Sequence, residues 1–435
     1  MHRSIPSVQG NSDHAAQASP TRVRQNPSVE TRNGRPVRAK AVQHWPPFDG
    51  RESHAGLTVH LATTDEERNA IYRLRYDVYI DEMNGGARHD EADVRRRQFR
   101  DEWDERAYHF YAAERGRMVA CARILLRRDG PMECEQHFDL EQFPPAFPDF
   151  VSMTSRLALH TEHRGSHVLK KLTCALYEFL CEQGQKFNFI DCHTRLLPLY
   201  SRLGFRAYRP GFNHQKYTYV VPMVLVVDDL EHLEQVRSPF IPVARRYPCS
   251  VEGRQFLLQH FPDAETVGTP AGRSEALTRQ AMLERLVNGQ TSVARSDMLA
   301  GLTLEDVNLL ASLGHYVACR TGDGVLQAGD PGREIFLILD GRFHVTGRIR
   351  HSEHEEVRVS KVLTIGDVFG EIRFLTEEIR YASVMAMEDA TLLVLNAKAM
   401  DRLVITAPKA AAKVFRNIAR IVVSRLCPSG GRPPS

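Results

Sequence analysis

Two stretches of the chain carry residue types that could handle an anion. In FGEIRFLTEEIRYAS, Phe369 to Ser383, Gly370 frees a turn, Glu371 can accept from a hydroxyl and Arg380 can fork onto phosphate oxygens. The apolar segment between them is suited to a short helix whose N-terminus faces the anion. In RLALHTEHRGSHVLKKL a strand runs into a loop holding Arg164, Gly165 and Ser166, then directly into a helix. The unpaired N–H groups and partial positive charge of a helix N-terminus suit a pyrophosphate. Downstream, LYSRLGF places Tyr200 on a short helix before a Gly-Phe turn.

Those residues need a scaffold, and the hydrophobic pattern supplies one. LTVHLATT alternates as a strand, and TDEERNAIYRLRYDVYIDEM then reads as a capped amphipathic helix. GGARHDEADVRRRQFRDEWDER is mixed in charge and aperiodic, and is expected to be a long loop. YHFYAAERGRMVACARILL reads as a strand hairpin, VSMTSRLALH as a strand, and HRGSHVLKKLTCALYEFLCEQGQ as a helix ended by Gly184. FNFIDCHT is a further strand, and KYTYVVPMVLVVDDL adds strand material. Later come a helix in RSEALTRQAMLERLVN, a capped helix in LTLEDVNLLASL, and short β-type runs between GDG, GDPG, DG and IGD turns, the spacing of a small barrel or sandwich. PKAAAKVFRNIARIVVSRL closes this region as an amphipathic helix.

The domain organisation expected from this is a disordered tail over 1–56, a first domain over 57–235, a linker with a helix over 236–300, a second domain over 301–427 and a polar tail over 428–435. At 435 residues two or three domains are the prior. A formal net charge of +3 gives no reason to expect nucleic-acid binding, and no apolar run approaches the roughly 20 residues of a membrane helix. The eight cysteines lack close pairs, which suits reduced thiols in a cytoplasmic protein. His89, His109, His137, His160 and His163 show no ligand spacing, so no metal is expected. Cys192-His193 invites a thiol nucleophile, but neighbours on a strand face opposite ways, and a buried cysteine is the expectation. The RRRQFR run reads as a solvated face, with docking of an acidic carrier protein as the sharper reading.

From about Leu57 to Leu233 the order of motifs resembles the GNAT N-acyltransferases. The resemblance extends towards the branch of acyl-homoserine-lactone synthases and long-chain N-acyl-amino-acid synthases. RLRYDVYIDEM, Asp101 and Asp104, CARILL, TSRLALH, the RGS loop and LYSRLGF carry it. It implies an α/β (α+β) GNAT fold, a mixed and mostly antiparallel sheet flanked by helices. It also implies attack of an amine, such as an amino acid or similar small molecule, on an acyl thioester of CoA or acyl carrier protein. Arg164, Gly165, Ser166, His167 and Val168 would bind the acyl donor. Tyr200 would protonate the leaving sulfur, with an amphipathic core tyrosine as the competing reading. Arg75 and Arg156 would order the acceptor or the loop, or form surface or interdomain ion pairs. His167 and Leu169 stand where small loop residues are usual. Met153 stands where that branch usually has a glutamate, three residues before Arg156, which leaves Asp101, Asp104 or a water as the proton acceptor.

From about Leu302 to Leu426 the chain resembles cyclic-nucleotide-binding domains, with FGE and the later arginine as the phosphate-binding cassette and the closing helix as its lid. The resemblance implies a C-terminal β-roll or jelly roll with flanking helices, with cAMP or cGMP as regulatory ligand held by Gly370, Glu371, Ile372, Arg380, Ala382 and Ser383. Arg373 and Tyr381 replace small residues there, and either add a contact or fill the site. The function expected is thus an N-acyltransferase under cyclic-nucleotide control. The alternatives are a regulated lysine acetyltransferase and a non-catalytic nucleotide sensor. No helix-turn-helix follows the lid helix, which argues against a DNA partner.

Overall fold

The structure, a computed structural model, describes residues 56–82, 92–143, 148–214, 218–261, 264, 273–288, 296–330, 332–352, 355–376 and 379–426. The expected tails, apart from Gly56, and His89 lie outside the described residues. The first domain opens with β1 (Leu57–Leu61) and α1 (Asp65–Tyr76). A capping box starts α1: the Thr64 hydroxyl accepts from Glu67 N, and the Glu67 carboxylate takes the Thr64 N–H at 2.9 Å. A wide π-helical turn, Asp77–Glu82, extends α1 and sends the Tyr79 hydroxyl to the Leu157 carbonyl at 3.0 Å.

The segment expected as a plain loop holds a small hairpin, β2 (Ala92–Asp93) with β3 (Gln98–Phe99), and a tight turn over Glu102–Arg106. Next come β4 (Tyr108–Glu114), β5 (Arg117–Leu126), β6 (Val151–Leu159), α2 (His167–Glu182), β7 (Phe187–Cys192), α3 (Leu197–Leu203), β8 (Arg206–Ala207), β9 (Phe212–His214) and β10 (Thr218–Val226). They form an eight-stranded sheet in the order β1-β4-β5-β6-β7-β10-β8, with β9 on β10. Every pairing is antiparallel except β6 with β7.

Alternation along the strands decides what each face covers. Tyr111, Ala113, Cys121 and Ala158 pack against Ile71, Leu74 and Val78 of the first helix and the turn that follows it. On the opposite face Phe110 meets Phe179 of α2 edge-on at 5.2 Å. Further along, Met153, Phe187 and Phe189 pack with Phe143, Phe256, Leu257 and Phe261.

The chain continues through α4 (Leu230–Gln235), α5 (Ile241–Ala244), α6 (Glu252–His260) and α7 (Arg273–Asn288). The span expected as a linker therefore supplies both cores. Phe256 and Leu257 of α6 complete the first, whereas Leu283 and Leu286 of α7, with Met298 and Leu299, are buried in the second. Their apolar side chains make burial more favourable than an extended tether.

The second domain comprises α8 (Leu304–Leu313), β11 (His315–Cys319), β12 (Gly324–Leu326), β13 (Ile335–Asp340), β14 (Phe343–Ser352), β15 (Glu355–Leu363), β16 (Val368–Phe369), α9 (Glu371–Leu375), β17 (Ala382–Ala386), β18 (Ala390–Leu395), α10 (Ala397–Thr406) and α11 (Pro408–Leu426). Its strands form two four-stranded antiparallel sheets, β11-β18-β13-β16 and β12-β17-β14-β15. Val414 and Ile418 of α11 and Leu403 of α10 are buried against them. No helix among the described residues is long and apolar enough to cross a membrane.

Candidate functional site

An ion-pair network lies buried on the α1 face of the first sheet. Arg75, on the inner stripe of α1, donates to Asp104 at 2.7 Å. Arg123 of β5 donates to Asp104 at 2.8 Å, to Glu133 at 2.6 Å and to Asp101. Arg156 of β6 donates to Asp101 at 3.0 Å and to Glu133 at 3.2 Å. Three guanidiniums thus face three carboxylates, which balances the buried charge. A reversal of φ to 55° at Arg156 breaks the regular strand alternation. Asp101 and Asp104 cap the turn between β3 and β4: Asp101 accepts from Trp103 N at 3.1 Å and Asp104 from Asp101 N at 2.9 Å.

Burial pushes the Asp104 carboxyl up, but Arg75 and Arg123 outweigh it and hold it well below the ordinary value. Arg123 and Arg156 do the same for Asp101. Both expected proton acceptors are therefore held ionised by the network, an arrangement that orders the loop. Arg75 has no acceptor atom, so His109 Nδ1 at 3.2 Å must accept from it, leaving Nε2–H to donate to the Asp104 carbonyl at 2.9 Å. Burial and Arg75 push His109 down to about 4. All three groups have depressed folded values, so each contributes stability at neutral pH that is lost in acid. The loss begins as pH falls through 6.5, where His109 protonates in the unfolded chain, and steepens below 3.8 with the two aspartates. Denaturant midpoints measured from pH 8 to pH 3 are expected to fall on that schedule.

Beside the network the sheet splits. β6 and β7 pair over Val151–Met153 against Phe187–Phe189, and beyond this point the two strands no longer pair with each other. Tyr79 stands at this gap through its bond to Leu157. Tyr200 of α3 packs edge-on to Phe205 at 5.6 Å, and its phenol is pushed up by burial and by Cys192, Tyr79 and Asp191. That keeps it protonated. Met153 is buried in the aromatic core, and the carboxylates that meet Arg156 come from outside its strand, Asp101 from the turn before β4 and Glu133 from the loop after β5.

Gly165, at φ 81°, leads into the Ser166 cap of α2, whose hydroxyl accepts from Val168 N at 3.2 Å. Arg164 donates to Glu82 at 2.6 Å, and His167 is exposed. Burial holds the Cys192 thiol far up and, with Arg195, pushes His193 down to about 3. Neither suits an activated thiol pair. Among the described residues no cluster could hold a metal ion.

In the second domain a cavity of about 440 Å³ is lined by Gly370, Glu371, Arg373, Arg380, Tyr381 and Ala382, with Ser424 and Arg425 of α11 closing one side. Arg373 and Tyr381 thus stand in its wall without closing it. Arg380 donates to the carbonyls of Gly370 at 2.7 Å and Glu334 at 2.8 Å, and to the Glu334 carboxylate at 3.1 Å. Its buried Nε has no hydrogen-bond partner. Gly370 is required twice: φ is 84°, and a Cβ there would lie 2.6 Å from both Arg380 Nη1 and the Glu334 carbonyl. Glu371 is paired with Arg425 at 2.7 Å. Ser383 Oγ instead accepts from Ala328 N at 3.1 Å.

The two domains touch through the first sheet's far edge. Tyr219 donates to the Ala318 carbonyl at 2.7 Å, and Gly324 N to Asn213 at 3.2 Å. Arg195, between β7 and α3, lies within electrostatic reach of Glu334, Asp330, Tyr79 and Arg164.

Sequence reasoning missed Arg123, Glu133, Glu334 and Asp191. A lone charge inside an apolar strand was the available signal for Arg123 in CARILL and Asp191 in FNFIDC, because such burial is costly unless compensated.

Residues 74–173 match the acetyltransferase (GNAT) domain family and residues 316–406 the cyclic nucleotide-binding domain family. Glutaminase 1 of Bradyrhizobium diazoefficiens is 33% identical over 31% of this chain, which spans only 21% of that protein. A CoA-dependent acyl-homoserine lactone synthase solved with SAM and isopentyl-CoA is 18% identical, covering 44% of this chain and 98% of its own, with a TM-score of 0.35. A cAMP-binding acyltransferase from Mycobacterium smegmatis is 21% identical, covering 34% and 42%, with a TM-score of 0.25. The chain joins a GNAT acetyltransferase domain to a cyclic nucleotide-binding domain.

Proposed function

We propose that the protein is an N-acyltransferase that moves an acyl group from a thioester of CoA or acyl carrier protein to the amine of an amino acid or similar small molecule. In this reading cAMP or cGMP, bound in the second domain, sets its activity, and the protein works in the cytoplasm. The observation that carries the reading is the split between β6 and β7 with Tyr200 beside it. A thioester laid along the gap would find backbone partners there, and the α2 N-terminus could receive its phosphates or the carrier's prosthetic arm. Tyr200 would protonate the departing sulfur. The buried arginine-carboxylate network would hold the loop that shapes the acceptor side.

Regulation would run through Glu334. A nucleotide phosphate on Arg380 competes with that carboxylate, and Arg195 lies within electrostatic reach of both Glu334 and Tyr79 at the acyl-transfer gap. The 2′-hydroxyl would compete with Arg425 for Glu371, which couples occupancy to α11. Such coupling requires unequal nucleotide affinity for two arrangements.

Amide product formed by the full chain from long-chain acyl-CoA or acyl carrier protein, over a panel of amines, tests the reading. Tyr200→Phe is expected to lower kcat about 10²-fold, the scale of a lost general acid, with donor KM little changed. An unchanged kcat would assign Tyr200 to packing alone.

A further inference from the structure

We propose that Asp191 takes the proton from the acceptor amine, an inference that rests on the acyltransferase reading above. Asp191 is the fifth residue of β7 and lies two residues past the last β6–β7 pair. Continuing that register would set it opposite Ser155, next to Arg156. It therefore stands at the mouth of the split, where a thioester carbonyl and an incoming nitrogen would meet. Its side chain retains 11% exposure, unlike the 2% of Asp101 and Asp104. His214 of β9 approaches it with Nε2 at 3.8 Å, too far for a hydrogen bond.

The surroundings favour a carboxyl that can exchange a proton. Burial and Glu133 push Asp191 up to about 6, against the pull of Arg156 of β6 and Arg123 of β5. Tyr200 of α3, His214 of β9 and the adjacent Cys192 are further titratable groups near it. Asp191 thus feels the Glu133 carboxylate together with the Arg156 and Arg123 guanidiniums of the network, while the two aspartates inside it stay ionised.

The step balances without any further reagent. As the nitrogen bonds to the thioester carbonyl carbon, an N–H proton passes to the Asp191 carboxylate. The C–S bond then breaks with its electron pair on sulfur, and Tyr200 gives that sulfur a proton. The products are an amide and a free thiol, and the Asp191 proton returns to Tyr200 through solvent.

The test compares the full-length protein with Asp191→Asn and Asp191→Glu. Octanoyl-CoA and octanoyl-acyl carrier protein serve as donors, the twenty amino acids as acceptors, and product is read by mass spectrometry from pH 5 to 9. The parent is expected to lose kcat/KM below about pH 6, as Asp191 protonates. Asp191→Asn is expected to fall about 10²-fold and to lose that acid limb, with donor KM held and partial rescue by Asp191→Glu. An Asn variant that keeps both rate and acid limb overturns the role of Asp191 and leaves the acyltransferase reading standing. No product from the parent with any donor overturns both. Carbon-13 titration of the Asp191 carboxyl gives a readout independent of turnover: a midpoint near 6 is expected, and an ordinary carboxylate value contradicts the proposal.

Discussion

Replacing Arg123 with methionine is expected to destabilise the first domain by about 3–5 kcal/mol, the scale for removing one partner of a buried ion pair. Arg123 is fully buried and donates to Asp101, Asp104 and Glu133 at once. Methionine fills the volume but leaves three carboxylates facing the two guanidiniums of Arg75 and Arg156. Arg123→Lys is expected to recover little, because a single ammonium cannot fork onto three acceptors arranged around a planar group. Urea unfolding of the full chain, followed in the first domain, measures the difference. A loss below about 1 kcal/mol would mean that the network relaxes by admitting water. The expected size is on the scale of a domain's whole stability, so the variant is also expected to accumulate poorly.

The second large effect concerns the other domain. Arg380→Ala is expected to weaken cAMP or cGMP binding about 10²-fold or more, the loss of roughly 3 kcal/mol from a charge-assisted, forked contact. The guanidinium is fixed by two carbonyls and the Glu334 carboxylate, and its unpartnered Nε is a buried donor that a phosphate oxygen could satisfy. Isothermal titration with each nucleotide reads the change. Retained affinity would place the phosphate elsewhere in the cavity, where Arg373, Lys361 and Arg425 are the other cations of the lining. The variant also strands the buried Glu334 carboxylate, so the second domain is expected to lose stability, and affinity is read per folded protein with its unfolding measured alongside.

Much of the scaffold was legible because local signals agreed with one another. The hairpin β4–β5 follows from two apolar runs around Glu114-Arg115-Gly116, with Arg115 and Gly116 both at positive φ. The start of α1 follows from Thr64 and Glu67, and the end of α2 from Gly184 at φ 65°. The cassette was legible because Gly370, Glu371 and Arg380 lie within one short stretch.

The chemistry of the first domain was less legible because it is assembled across long separations. Arg156 finds Asp101 from 55 residues away and Glu133 from 23. Arg156 meets a glutamate from another loop, while Met153, three residues before it, fills the aromatic core. No local pattern reports such an exchange. The packing of the 236–300 span was hidden for a related reason. Phe256 and Leu257 sit on a short helix whose burial depends on Phe143 and Phe187, neither of them near in sequence. In the second domain, Glu371 was read as open to a hydroxyl, whereas Arg425, 54 residues on, holds it.

The central claim is that one chain couples acyl transfer to cyclic-nucleotide binding. The most direct measurement is the initial rate of amide formation by the full chain, with long-chain acyl-CoA or acyl carrier protein and a panel of amines, at rising cAMP or cGMP. The account expects product whose rate changes with a nucleotide in the parent protein and no longer responds in Arg380→Ala. Nucleotide binding without any product from any donor would contradict it, and would leave a sensor in which the GNAT domain serves as a binding module.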